Sequence, residues 1–524
     1  MTKSFLKKNW QILSFNFVLL LLFCVFYGKF GNIIVDTYRE AYIPEQILTG
    51  KALYKDIFTI YSPFAYLFNA LLFLIFGTNI KVLAFAGLIV TGVILNLIYK
   101  IANKFMPETY SFIILMFIIS TGIISPNVFN FIMPYSFGLL YGLAFILGSL
   151  YSVLKRNYIA GYFLYGLAIC SKYEFILFLP VLIWADWQKD KLKNFWLKCI
   201  SFVIPILTVI SILYMQKVVP ADIIISVKFM LNMASAKTTH WFYTISGLIF
   251  KRELLPIYLL NIIKVLIPLA ALNRVNKMYS VPLVIAYCWM FIDTKLLIYA
   301  FPLILVLFLF RYKKLNFYKR FFILSSLLIS AKVFWALLLS SYGTFFTPFC
   351  LISIIILAPK SLKKDIITLI LVFALVLGIK NSYAMMHKNV KISTEKGIVY
   401  SEDYYGEPIK ELIQYLQTNT EKEDTVIVYP ECLAVNFLAD RKSDNKFYSL
   451  IPLYAEVFGE DLIIHRLILK KPKYVVISNF DTSDYYFKQF GKDYGKNTAG
   501  FIKSNYTLIK EIGTDFRFKI YRLK

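Results

Sequence analysis

Charge is scarce in this chain. Of its 524 residues, 17% are Asp, Glu, Lys or Arg, against roughly 25% in soluble proteins. Histidine occurs 3 times and cysteine 6 times. No CxxC pair and no Cys/His spacing fit for a metal is present. Cys432 stands alone in the last 140 residues, which excludes an internal disulfide there. No Gly-rich phosphate loop occurs, nor any internal repeat or low-complexity linker. What the chain has instead is apolar side chains, at 59%, and a mean hydropathy of +0.64. Most of it cannot dissolve in water, so it reads as a polytopic membrane protein.

The little charge there is falls unevenly. Residues 385–524 hold 21 of the 57 basic and 19 of the 31 acidic side chains, leaving 36 and 12 for residues 1–384. Two parts follow: a basic, apolar transmembrane domain over 1–384 and a balanced, soluble domain over 385–524, long enough to bury its own core. The basic excess sits in short loops between apolar runs, where it speaks for topology and membrane-lipid contact and against nucleic acid. Lys3, Lys7 and Lys8 precede the first apolar run with no small-x-small cleavage site after it, which marks a retained span.

Thirteen apolar runs have about the length of a span, at 11–27, 80–99, 110–125, 135–154, 158–170, 175–187, 195–215, 254–272, 279–292, 296–310, 321–341, 345–357 and 366–383. With the N-terminus in the cytoplasm, every inner loop carries basic residues, from Lys100/Lys104 and Lys155/Arg156 to Lys360/Lys363/Lys364. The odd count then puts 385–524 outside, as expected for a multi-pass protein of a bacterial cytoplasmic (inner) membrane. Residues 62–77 must not cross, or the later loops would invert; they are expected to lie along the outer surface, with Pro63 in the first turn of a helix. Two outer loops remain, 28–61 and 217–253. Residues 385–524 alternate helical and strand patterns: 409–416 and 462–469 helical, 425–429 and 474–477 strands, 507–512 and 516–521 a final pair. The expected fold is an α-helical polytopic membrane protein with a small C-terminal α/β extracytoplasmic domain.

Four of the 12 acidic residues of the membrane domain, Asp36, Glu40, Glu45 and Asp56, fall in the first outer loop. On a helix, Asp36, Arg39 and Glu40 would share one face. A carboxylate there, partly buried at the membrane surface, suits removal of a proton from a hydroxyl acceptor. A solvated Asp36–Arg39 salt bridge fits the same residues equally well. Lys172 and Glu174 occupy a short turn between apolar runs, and Lys332 lies mid-run, where a charge costs roughly 2.5–3.5 kcal/mol on insertion scales. An anionic lipid phosphate would partner such lysines; helix termination and snorkelling are the plainer explanations. Lys237 and His240, beside Trp241 in the second outer loop, suit phosphate and sugar contact or an ordinary aromatic belt.

The order of these features resembles the GT-C superfamily of membrane glycosyltransferases, and within it the protein O-mannosyltransferase and aminoarabinose-transferase-like groups. The carrying residues are D-x-x-R-E over 36–40, Y-S-P-F-A-Y-L-F-N-A-L-L-F-L-I-F-G over 61–77, and G-L-A-x-x-x-K from Gly166 to Lys172. Thirteen spans with an external C-terminal domain also resemble the oligosaccharyltransferase branch. The resemblance implies sugar transfer from a polyprenyl-phosphate donor to a lipid, glycan or protein acceptor at the outer face, with inversion. Asp36 would be the general base with Glu40 beside it. Arg39 and Lys172, then Lys237, His240 and Lys332, would meet the donor phosphate; Asp56, Tyr61 and Glu174 would line the substrates. No metal is implied, and a divalent ion between Asp36, Glu40 and Asp56 stays open. The rival is a lipid-linked sugar flippase or polysaccharide polymerase. A flippase would be expected to have paired halves and a charged central cavity, whereas the acids here cluster on one outer loop.

Overall fold

The computed structural model describes residues 2–245, 252–331 and 341–524. Each of the 13 apolar runs carries a helix in its described part. Among the described residues, five stretches are long and apolar enough to cross a membrane by themselves: Ile80–Ala102, Phe137–Leu154, Phe195–Met215, Leu255–Arg274 and Thr294–Lys314. Others are shorter than a span, such as Thr347–Leu357 with 11 residues, about 16 Å at 1.5 Å per residue. Starts are marked by short polar side chains: Asn79, Asn157, Asn276 and Asn316 each accept a backbone N–H from the first turn, as does Asp293. Such caps satisfy donors that hydrocarbon would leave unpaired. Helix Phe195–Met215 turns Trp196, Ile200, Ile204 and Leu207 outward, a helical stripe suited to lipid.

Helix Tyr158–Ser171 stops at Lys172, whose extended backbone leads into a 3-10 turn, Tyr173–Phe178, before helix Leu179–Asp190. Tyr158 Oη donates to Ala185 O at 3.3 Å, so the two helices run back along each other with Lys172 at the tip. Helix Phe64–Phe76 has 13 residues, about 20 Å against a hydrocarbon layer of about 30 Å. It buries Ala65, Tyr66, Asn69, Ala70 and Phe73 and exposes Phe68, Leu71, Leu74, Ile75 and Phe76, an outward face that is apolar throughout. The second outer loop is more ordered than its sequence pattern suggests, forming helices Pro220–Ser235 and Lys237–Ile245.

The last long helix, Lys360–Met386, leads into the C-terminal domain. A hairpin not foreseen from the sequence comes first, β1 (Val390–Thr394) with β2 (Gly397–Ser401). Helix Asp403–Asn419 follows, then a sheet of β3 (Val426–Tyr429), β4 (Tyr474–Ser478), β5 (Tyr506–Ile512) and β6 (Phe518–Leu523), ordered β3-β4-β6-β5. β3 and β4 are parallel and the other pairs antiparallel. Val426–Tyr429, at the edge of this sheet and paired with β4 alone, is nevertheless buried throughout.

The C-terminal domain shares its core with the membrane domain. Phe437, on helix Leu433–Ala439, is fully buried and sits 6.1 Å from the Tyr38 ring and 6.3 Å from the Phe73 ring. Burial of one such side chain contributes about 1.5–3 kcal/mol. Lys396 Nζ pairs with Glu45 Oε1 at 2.5 Å, and Ser443 N donates to Tyr42 Oη at 2.7 Å. Phe58, Phe229 and Phe458, from residues 28–61, residues 217–253 and the C-terminal domain, meet edge-on or tilted with centroids 4.0–5.0 Å apart. The three segments therefore lie on the same face of the helices.

Candidate active site

Asp36 sits in a turn, not on a helix. Its backbone is left-handed (φ +59°), a conformation that Asp visits more readily than most residues because its short polar side chain bonds locally. Helix Arg39–Leu48 begins just after it. The shared helical face expected for Asp36, Arg39 and Glu40 is thus replaced by a turn, in which Asp36 O accepts from Arg39 N at 3.0 Å. The three side chains meet all the same. Arg39 Nη1 donates to Asp36 Oδ1 at 2.6 Å and Nη2 to Tyr135 O at 2.6 Å, while Nε and Nη2 reach Glu40 Oε1 at 3.3 Å. Glu40 Oε2 accepts from Phe137 N at 2.8 Å, at a helix N-terminus where negative charge is favoured. Burial pushes the Glu40 carboxyl above its usual range, against the pull of Arg39 and that N–H. Arg39 and Glu40 are buried, so this is no solvated bridge; only Asp36, with 27% of its side chain exposed, opens to the cleft.

Tyr135 joins this cluster to Lys172. Its carbonyl takes Arg39, and its hydroxyl accepts from Lys172 Nζ at 3.1 Å. The Tyr61 ring lies between the two cations, 4.3 Å from Arg39 Cζ and 5.5 Å from Lys172 Nζ. Glu174 Oε1 stands 3.8 Å from Lys172 Nζ. Two glycines let the Lys172 turn approach: a Cβ at Gly138 would meet Ser171 O at 2.6 Å, and one at Gly142 would meet the Phe175 ring at 2.6 Å. Lys172 is buried, which a lysine tolerates only with such partners.

The C-terminal domain also contributes residues here, none of which stood out in the sequence. Glu431 follows β3, just after the cis peptide bond Tyr429-Pro430, and lies within electrostatic range of Asp36 and Arg39. Its depth in the cleft, then the Asp36 charge, push its carboxyl up to about 8, while Arg39 pulls the other way. The hydroxyls of Tyr448, Tyr454 and Tyr485 stand within electrostatic range of Glu431 and Arg39.

Other expected site residues lie elsewhere. Asp56 is exposed and closes its own turn, Oδ2 accepting from Ala52 N at 2.9 Å. Lys237 and His240 are exposed on helix Lys237–Ile245, outside the Arg39–Tyr135–Lys172 network. Lys237 Nζ lies 4.0 Å over the Tyr486 ring, and the same helix start is capped by Glu456. The start of this helix thus contacts the C-terminal domain. Lys332 falls outside the described residues. Among the described residues no group of three His, Cys, Asp or Glu is poised for a metal; Asp36 and Glu40 both turn to Arg39, and Asp56 is held at Ala52.

No family model matches the chain, and no curated protein matches it. Solved structures do resemble it in shape. ArnT from Cupriavidus metallidurans bound to undecaprenyl phosphate aligns over 98% of both chains at 12% identity, with a TM-score of 0.49. The archaeal oligosaccharyltransferase AglB from Archaeoglobus fulgidus, in complex with an inhibitory peptide and a dolichol-phosphate, aligns over 90% of this chain and 70% of its own at 9% identity, TM-score 0.47. The Archaeoglobus fulgidus oligosaccharyltransferase tethered to an acceptor peptide aligns over 99% and 75% at 12% identity, TM-score 0.48. Likeness at these scores carries no argument, so the functional reading stands on the residues.

Proposed function

We propose that this protein transfers a sugar from a polyprenyl-phosphate donor to an acceptor hydroxyl, in the cleft between the membrane domain and the C-terminal domain on the outer face of the membrane. The observation that carries this reading is one partly exposed carboxylate, Asp36, clamped by a buried arginine and linked through a single tyrosine to a buried lysine. A partly exposed base beside a buried cation, at the level of an interfacial helix, matches an amphiphilic donor with its phosphate at the surface and its chain in lipid.

In the proposed step the acceptor O–H gives its proton to Asp36, and its oxygen attacks the anomeric carbon from the side opposite the phosphate. A C–O bond forms, the bond from the anomeric carbon to phosphate oxygen breaks, and configuration inverts. The polyprenyl phosphate leaves with the electron pair. Lys172 stabilises the charge that develops there, with Tyr61 and Tyr135 holding its ammonium group. Arg39 is spent on Asp36, Glu40 and the Tyr135 carbonyl, so its role is to aim the base and not to meet the phosphate. Glu40 anchors Arg39, and Glu174 tunes Lys172.

The test is turnover by the purified protein in lipid nanodiscs with a panel of polyprenyl-phosphate hexoses and pentoses. Release of polyprenyl phosphate, with inverted product, is expected from at least one member. Sugar-lipid moved across a bilayer with no bond cleaved would instead identify a flippase.

A further inference from the structure

Tyr135 ends an outer segment, residues 124–136, that has neither helix nor strand and is buried over most of its length. A buried coil has no ladder to absorb its backbone groups, so they need other partners. One side chain supplies four bonds. Asn130, fully buried, donates through Nδ2 to Asn127 O at 2.9 Å and Met133 O at 3.0 Å, and through Oδ1 accepts from Ile132 N at 2.9 Å and Met133 N at 2.6 Å. Two donors and two lone pairs are the whole capacity of the amide, and their use fixes which way it faces. Behind it the segment is seated on helix Ile80–Ala102: Thr91 Oγ1 donates to Phe131 O at 2.6 Å, and a Cβ at Gly87, one turn earlier, would run into Ile132 O. Tyr135 N closes back on Val128 O at 2.7 Å.

The end of this segment is what the site uses. Within three residues, Tyr135 O takes Arg39 Nη2, Tyr135 Oη takes Lys172 Nζ, and Phe137 N reaches Glu40 Oε2. Two oxygens of one residue therefore span the base clamp and the lysine.

We propose that Asn130 is a positioning residue for the site: its amide locks residues 124–136 so that Tyr135 holds Arg39 and Lys172 at one separation, the span between an acceptor hydroxyl and the donor phosphate. The inference rests on the reading of Asp36 as base and Lys172 as phosphate cation. Asn130 takes no part in the chemistry and acts through Tyr135.

Two readouts on the full-length protein in lipid nanodiscs separate positioning from mere stability. The first, hydrogen–deuterium exchange, needs no substrate. Asn130→Ala should speed exchange at the Tyr135 and Phe137 amides by roughly tenfold, although these N–H groups bond to Val128 O and Glu40 and not to Asn130. Amides in the middle of helix Ile80–Ala102 should keep the parent rate. Asn130→Asp, which when protonated still accepts two N–H groups and donates once, should speed them less near pH 5.5 than near pH 8.5, each against the parent at the same pH. The second is calorimetric binding of polyprenyl phosphate without sugar. Asn130→Ala should raise Kd by about 3- to 10-fold at the parent stoichiometry, whereas a residue that only stabilises the fold would lower the stoichiometry and leave Kd alone. Tyr135→Phe should raise Kd by a similar factor. Adding Asn130→Ala to Tyr135→Phe should then raise Kd clearly less than Asn130→Ala does by itself, because both act on Lys172 through one hydroxyl. Where Asn130→Ala does not fold, Asn130→Asp carries both tests. Unchanged Tyr135 and Phe137 amides overturn the proposal, as does a uniform rise that includes helix Ile80–Ala102, a parental Kd, or an additive double variant. If Lys172→Ala binds polyprenyl phosphate as tightly as the parent, the phosphate reading of Lys172 falls, and the binding half of this proposal with it.

Discussion

Arg39→Met puts a number on the clamp. The side chain it removes is buried and has four donor contacts, two of them to Glu40, whose side chain is 1% exposed. Breaking a buried pair by deleting one partner costs about 3–5 kcal/mol, because the other charge is left uncompensated. The Phe137 N–H still holds Glu40 Oε2 and offsets about 0.3–1 kcal/mol of this. A net loss of about 2–5 kcal/mol is therefore expected for Arg39→Met. Glu40→Gln in the same background should restore part of it, since a neutral amide needs no cation, and the double-mutant cycle should yield a coupling of about 1–3 kcal/mol. The loss should also depend on pH. Glu40 is already shifted upward by burial, and without Arg39 it rises further. Protonated Glu40 needs no partner, so Arg39→Met should cost less near pH 4.5 than near pH 8. Denaturant-driven unfolding in mixed micelles, read by tryptophan fluorescence, measures each term. A loss below about 0.5 kcal/mol with no coupling is the behaviour of a solvated surface pair, and would refute the buried clamp.

Lys172→Ala should weaken binding of a polyprenyl phosphate without sugar and slow its departure, while Lys172→Arg should restore less than charge alone suggests, because the Tyr135 hydroxyl and Tyr61 ring fit an ammonium; calorimetry with polyprenyl phosphate checks both. Gly138→Ala brings a methyl group within 2.6 Å of Ser171 O and should cost about 1–3 kcal/mol by overpacking, with weaker phosphate binding although Lys172 is intact. Docking of the C-terminal domain should respond to pH at both ends, measured by protection of residues 385–524 from protease. The Glu456 carboxyl is pushed up by burial but pulled lower overall by the Thr238 hydroxyl and the Thr238 and Lys237 N–H groups. Its contribution is therefore present above about its usual 4.5 and lost as pH falls through the lowered value. Glu431 is displaced the other way, so its contribution is complete below 4.5 and is lost as pH rises through about 8; Glu431→Gln should abolish that alkaline limb only.

Hydropathy was enough to place the helices of the 13 apolar runs, because burial in lipid imposes a long apolar run and little else, whereas helices Arg39–Leu48, Pro220–Ser235 and Lys237–Ile245 fall in stretches that read as loops. The helix Phe64–Phe76 was legible as an apolar run, and its expected place along the surface came from charge placement, since its crossing would invert the loops. Strand pairs in the C-terminal domain were legible for the same reason: Val426–Tyr429 and Tyr474–Ser478 are short, β-rich and bounded by turns. Contacts between distant segments were not legible. Nothing near Glu431 distinguishes it from the other 18 acidic residues of 385–524, and its meeting with Asp36 depends on how the C-terminal domain docks. Tyr135 was hidden likewise, because its role comes from a carbonyl and a hydroxyl pointing at two different cations. A lysine beside aromatics fits a docking helix as well as a phosphate site, and the Glu456 cap and the Tyr486 ring set the helix of Lys237 against the C-terminal domain.

The most direct measurement is single-turnover transfer by Asp36→Asn against the parent protein, with donor binding followed in parallel. Asparagine keeps the size of the side chain and can still accept from Arg39, but it takes no proton at neutral pH. Loss of general-base assistance should slow transfer by about 10²–10⁴-fold, while polyprenyl-phosphate binding, which depends on Lys172, changes little. Near-normal transfer by a folded, correctly inserted Asp36→Asn protein would contradict the account.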